Sequence, residues 1–198
     1  MEDLNQSLFL LLNAPADPNA FVLAFGIFFA EYAIWAVPAI VAVGWLRGSK
    51  ETRKMMLEAA ASAAAALFVN QIIALLWQHP RPFAMGLGHN FVAHAPDSSF
   101  PSDHLTLLWS VAFSLATHRG RRATGLALAL LGLPVAWARI YVGVHFPLDM
   151  AGAVLVSAVG AWLVSCAQRR WMPHAYWFAI RAHRLLFGRL IALGWVRR

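Results

Sequence analysis

Apolar stretches of about 20 residues, long enough to cross a hydrocarbon core of about 30 Å, recur along this chain of 198 residues. They restrict it to one kind of fold. Lipid offers the backbone no hydrogen-bond partners, so each stretch must satisfy its own peptide groups as a helix. The spacing predicts spans over 21–46, 56–77, 102–117, 123–138 (with Pro134 inside) and 148–167. We therefore expect an all-α, polytopic membrane helical bundle of five to six transmembrane helices, in one domain with its core at 20–167. Composition agrees. The chain is 60% hydrophobic and 13% charged, against about 25% charged in soluble domains. The third and fourth spans are short, as expected of polar helix ends sunk into a protein-lined cavity.

The two ends of the chain read differently. Leu4, Leu8, Leu11 and Leu12 fall at helical spacing before the turn-forming run Asn13 to Pro18, which predicts a short helix on the membrane surface. Glu2 and Asp3 stand where a cleavable leader would carry Lys or Arg, so none is expected. From His174 to Arg198, arginines alternate with Trp, Phe, Leu and Ile, which predicts an interfacial helix on the cytoplasmic leaflet. The single cysteine, Cys166, allows no intrachain disulfide.

Charge sets the expected orientation. Of the sixteen Lys and Arg residues, only Arg81 and Arg139 fall outside the 47–54 loop, the 119–122 loop and the C-terminal tail, which share one side. The positive-inside rule makes that side cytoplasmic. The expectation is a multi-pass inner-membrane protein whose polar clusters face outward. The net charge of +7 then reflects attraction to anionic headgroups, with no nucleic-acid partner.

Three polar clusters edge the spans: Arg81-Pro82, Pro101-Ser102-Asp103-His104, and Arg139 through His145 to Asp149. Charged groups at a membrane boundary are costly unless solvated or paired, so their recurrence needs a reason. Pro147 suits a helix first turn, which places Asp149 one turn from His145 and able to reach its ring. Ser102 suits an N-cap, with Asp103 and His104 in the turn that follows. Two helix N-termini, two arginines and two histidines would together hold a phosphate without a metal or other cofactor. Glu31, deep in the first span, is a candidate support for an active-site cation.

These clusters resemble the motifs of the type-2 phosphatidic acid phosphatase superfamily, K-x6-RP, PSGH and SR-x5-H-x3-D. The resemblance is strongest to its undecaprenyl-diphosphate phosphatase branch, in the stretches His79 to Phe83 and His94 to His104. It implies that His145 is a nucleophile that becomes phosphorylated and that Asp149 orients its ring. It further implies that His104 protonates the leaving oxygen, while Arg81, Arg139, Ser102 and Asp103 hold the phosphoryl group. Ala74 stands at the first-motif lysine, Asp103 at the glycine and Ala138 at the serine; His79 is the candidate substitute for the missing cation. The implied substrate and partner is a polyprenyl-diphosphate lipid in the bilayer. Competing readings are a phosphatidate or phosphatidylglycerophosphate phosphatase, a lipid phosphotransferase, and a non-enzymic headgroup binder or transporter.

Overall fold

A computed structural model describes residues 2–197, and among them every regular element is helical. Four stretches are long and apolar enough to cross a membrane: Ala20–Arg47, Lys50–Leu76, Arg119–Tyr141 and Pro147–Ala192. The chain is a multi-pass membrane protein. In order, the α-helices are α1 (Glu2–Leu12), α2 (Ala20–Ile27), α3 (Ala36–Arg47), α4 (Lys50–Leu76), α5 (Asp103–Thr117), α6 (Arg122–Tyr141) and α7 (Pro147–Ala192). The expected third span is α5, only 15 residues long and so about 22 Å from end to end. It is the centre of the bundle, packed against α4, α6 and α7, and Leu105, Leu108, Val111, Ala112 and Leu115 are wholly buried. Enclosure by neighbouring helices explains how a helix this short sits in the membrane.

Hydrophobicity cannot hold helices together inside lipid, so close packing of small residues does. Ala59, Ser62, Ala63 and Ala66 form such a face on α4, and Gly160 of α7 sits against Ala66. Gly125 of α6 lies directly on the α5 backbone at Ala112 and Ala116. Between α4, α5 and α7, buried Glu58 takes contacts from His118 Nε2 at 3.0 Å and from the Gln168 side-chain amide.

The first span is not a uniform helix. Between α2 and α3 the chain makes a π turn, Phe28–Tyr32, then a 3-10 turn, Ala33–Trp35. Neither Gly nor Pro falls between 28 and 35 to announce it.

Both terminal expectations change on inspection of the fold. Helix α1 exposes Leu4, Leu8 and Leu11, but its other face is docked on protein: Phe9 is fully buried, edge-on to Phe146 at 5.3 Å. Asn5 Oδ1 accepts the Leu148 N–H in the first turn of α7 at 3.1 Å. Asn13 donates to the carbonyls of His89 and Tyr141. At the other end there is no separate helix beginning at His174. Helix α7 continues through Pro173 to Ala192, because an internal proline removes one hydrogen bond and the flanking Arg, Gln and Ala are good helix formers. Its C-terminal part packs where α3 meets α4: buried Arg53 of α4 donates to the carbonyls of Trp45 and Arg197 and contacts His183. Arg198, counted among the basic residues, lies outside the described residues.

A side chain at Gly125 would drive α6 away from the α5 backbone. Gly125→Val is expected to cost about 1–3 kcal/mol, seen as a lower thermal midpoint in detergent. Gly120→Ala, which meets open space, should leave the midpoint unchanged.

Candidate active site

The polar clusters meet at one end of the bundle, where the 77–102 loop, the α6–α7 turn and the first turns of α5 and α7 come together. The α6–α7 turn is tight. Gly143 has φ 90°, and a Cβ there would collide with the carbonyl of His89, so only glycine fits easily. This turn carries His145 into the interior, 1% exposed.

Asp149 fixes the His145 ring. Its Oδ2 accepts the Phe146 N–H at 2.8 Å and lies 3.0 Å from His145 Nδ1. A carboxylate facing Nδ1 places the proton there, which leaves the Nε2 lone pair free. That lone pair faces Arg81 Nη1 at 3.2 Å and Arg139 Nη2 at 3.4 Å. Burial, reinforced by the charges of Arg139 and Arg81, holds the imidazole well below the usual histidine range. The ring is thus a neutral, oriented base whose Nε2 lies between two cations.

Each guanidinium is tied down. Arg81 donates through Nε to Asp97 at 2.8 Å, through Nη1 to the Val144 carbonyl at 2.9 Å, and through Nη2 to the Ser98 carbonyl at 3.3 Å. Arg139, 1% exposed, donates through Nη1 to the Ala30 carbonyl at 3.2 Å and through Nη2 to His94 Nε2 at 3.1 Å. Glu31 Oε1 lies 3.6 Å from Arg139 Nη1. The π turn between α2 and α3 therefore supplies both a carbonyl and a carboxylate to this arginine.

The start of α5 completes the pocket. Ser102 occupies the N-cap position, yet its side chain caps nothing, and its buried Oγ has no partner among the described residues. The first-turn N–H groups are left free to bind an anion. The Ser102 N–H donates to the Asp149 carbonyl at 3.3 Å, which brings the first turns of α5 and α7 together. His104, half-buried in this turn, makes no side-chain hydrogen bond among the described residues.

Two expected phosphate ligands are engaged elsewhere. The Asp103 carboxylate turns to α4, where Asn70 donates to it at 2.8 Å and Gln71 at 3.4 Å. Only its backbone N–H is placed to meet an anion, because two negative charges would repel. The His79 ring contacts Ser99 Oγ at 2.9 Å and Glu2 at 3.4 Å, and it makes no hydrogen bond to the arginines or His145. Ala74 lines a cavity of about 480 Å³ beside the Arg81–Asp97 pair, together with Gln71, Gln78 and His79. Sequence reasoning did not single out His94, Asp97 or Asn70. The first two lie in a long loop without periodicity, and their roles depend on where that loop folds.

The buried histidine makes stability depend on pH. Near pH 6 His145 is neutral when folded, whereas histidine in an unfolded chain, with pKa near 6.5, takes up a proton. The unfolded state then binds more protons, so stability falls as pH drops below about 6.5, by up to ~1.4 kcal/mol per pH unit from this residue. Burial also lowers His94, as do Arg81 and Arg139, and it acts in the same direction. Asp97 is partly buried, but Arg81 holds its carboxyl below the usual range, so it contributes only at much lower pH. Thermal midpoints should decline from pH 7.5 to 5, with a shallower slope in His145→Gln; equal slopes would contradict the buried neutral ring.

Comparison with known proteins identifies the family. Residues 56–173 match the PAP2 superfamily. The chain is 38% identical to YbjG of Escherichia coli (strain K12), which is named provisionally as an undecaprenyl-diphosphatase, over 100% of this chain and 99% of that one. It is 35% identical to undecaprenyl-diphosphatase BcrC of Bacillus subtilis (strain 168), over 79% of this chain and 80% of that one. The crystal structure of Aquifex aeolicus LpxE superposes with a TM-score of 0.66 at 22% identity, covering 81% of this chain and 94% of that one. That likeness speaks for the fold. With residues 56–173 matched to its model and a relative aligned along its whole length, the chain belongs to the PAP2 superfamily.

Proposed function

We propose that this protein is a polyprenyl-diphosphate phosphatase, acting on undecaprenyl diphosphate through a phosphohistidine. The observation that carries the reading is His145, whose Nδ1 is held by Asp149 while Nε2 faces Arg81 and Arg139. A terminal phosphate entering between them would take over the arginine N–H groups that now face Nε2, together with the free N–H groups at the start of α5. Nε2 then attacks phosphorus in line, and the bridging P–O bond breaks. The lipid monophosphate departs with a proton from His104. Water next attacks the phosphohistidine, His104 takes its proton, and inorganic phosphate leaves. The arginines and helix N-termini stabilise the equatorial oxygens throughout. Glu31 and Asp97 hold the arginines in place.

The substrate class rests on the relatives' names and on the membrane setting. A polyprenyl chain stays in the bilayer while its anionic head reaches a pocket at the ends of the helices. The concentration of Lys and Arg at the opposite end supports an inner-membrane protein with the pocket on the outer face.

Purified protein should release phosphate from undecaprenyl diphosphate, in the presence of chelator and with inhibition by vanadate. His145→Ala should abolish release, and His104→Ala should slow it by about 10²–10⁴-fold. Full activity in His145→Ala would overturn the mechanism. Faster release from phosphatidate or phosphatidylglycerophosphate would overturn the substrate class, and phosphate appearing on an acceptor lipid would mark a transferase.

A further inference from the structure

At the end of the bundle opposite His145, the first turns of α4 and the C-terminal half of α7 line two adjoining, solvent-open cavities that the chemistry above does not use. One, of about 430 Å³, is lined by Lys50, Lys54, Gln168, Arg169 and Tyr176 among others. The second, of about 270 Å³, shares Lys50 and Tyr176 and adds Arg53 and Arg184. Among the described residues, no acidic side chain lines either cavity. Arg53 is committed to backbone carbonyls, whereas Lys50, Lys54, Arg169 and Arg184 have no hydrogen-bond or ion-pair partner among the described residues. Glu58, one turn along α4 from Lys54, is buried and engaged by His118 and Gln168, so it does not neutralise them. Lys54 Nζ sits over the Tyr176 ring at 5.9 Å.

Like charges lining one concave surface raise the local positive potential and favour an anion there. Dispersed boundary cations, which merely favour an anionic surface, do not need to line a cavity. We propose that these cavities form a second anion site, separate from the catalytic pocket, that binds a phosphate group. Lysines act as point charges toward phosphate, and Arg169 and Arg184 add forked donors. Trp177, Phe178, Leu185 and Leu186 are exposed on the same stretch of α7, so a lipid phosphodiester has apolar surface beside the site for its chains. Free phosphate shares the headgroup chemistry and lacks the chains.

The test uses full-length protein in neutral detergent, where no anionic surface contributes. Thermal midpoint is titrated with a short-chain phosphatidylglycerol, with the matching phosphatidylcholine, and with inorganic phosphate, since a ligand that binds only the folded state raises it. Lys50→Gln/Lys54→Gln is compared with wild type, which cancels any contribution from the catalytic pocket. The double variant should bind phosphatidylglycerol about thirty-fold more weakly, from ~1 kcal/mol per basic residue at 1.4 kcal/mol per decade, with phosphatase activity retained as the check on folding. Lys50→Arg/Lys54→Arg should keep affinity near wild type. Arg181→Gln/Arg189→Gln, elsewhere on α7, should change it by no more than about two-fold through screened charge. Loss for phosphatidylglycerol alone identifies a lipid headgroup site, and parallel loss for inorganic phosphate identifies a site for phosphate itself. Equal loss in the Arg181/Arg189 pair, equal stabilisation by phosphatidylcholine, or no loss in the Lys50/Lys54 pair would overturn the proposal.

Discussion

Two guanidinium groups buried side by side around a neutral histidine set the terms for the rest of this structure. Arg81 and Arg139 are 5% and 1% exposed, and a buried cation left unpaired costs several kcal/mol. Much of the surrounding architecture answers that cost. The 77–102 loop folds over so that Asp97 and the Ser98 carbonyl reach Arg81, and the first span breaks its helical pattern so that Ala30 and Glu31 reach Arg139. The two cations share one face, toward His145 Nε2. Beside them lie the first turn of α5 and a Ser102 Oγ with no partner among the described residues, a setting that favours a multiply charged oxyanion. Preorganisation of this kind requires no rearrangement of dipoles at the moment of reaction.

The helices were largely legible because length and hydropathy are local properties. Spans over 56–77, 102–117 and 123–138 fall close to α4, α5 and α6. The reach of Asp149 to His145 was legible too, since Pro147 marks the helix start and the spacing is one turn. The π turn was not: it carries no Gly or Pro, and the arginine that its carbonyl meets lies more than a hundred residues away. His94 and Asp97 were invisible for a similar reason, since only the folded loop brings them to Arg139 and Arg81. The side chains of Asp103 and His79 have other partners, which adjacency to a motif in sequence does not reveal. Asn70 draws the first aside, and Ser99 with Glu2 draws the second.

The extent of α7 teaches a complementary lesson. A composition change near residue 168 suggests a boundary, yet a helix ends only where its backbone bonds end. One proline inside a run of good helix formers does not end it. At 46 residues, or roughly 69 Å, α7 outruns any bilayer, so one rigid element carries Asp149 at one end and the Arg53 anchorage toward the other.

The docking of α1 bears on the order in which the molecule is completed. Its residues are made well before the groups they hold: Asn13 joins Tyr141 across 128 positions, and Asn5 joins Leu148 across 143. Synthesis at about 5–20 residues per second therefore leaves α1 waiting for many seconds without its docking surface. The turn bearing His145 can receive this N-terminal brace only once Leu148, in the first turn of α7, has been made.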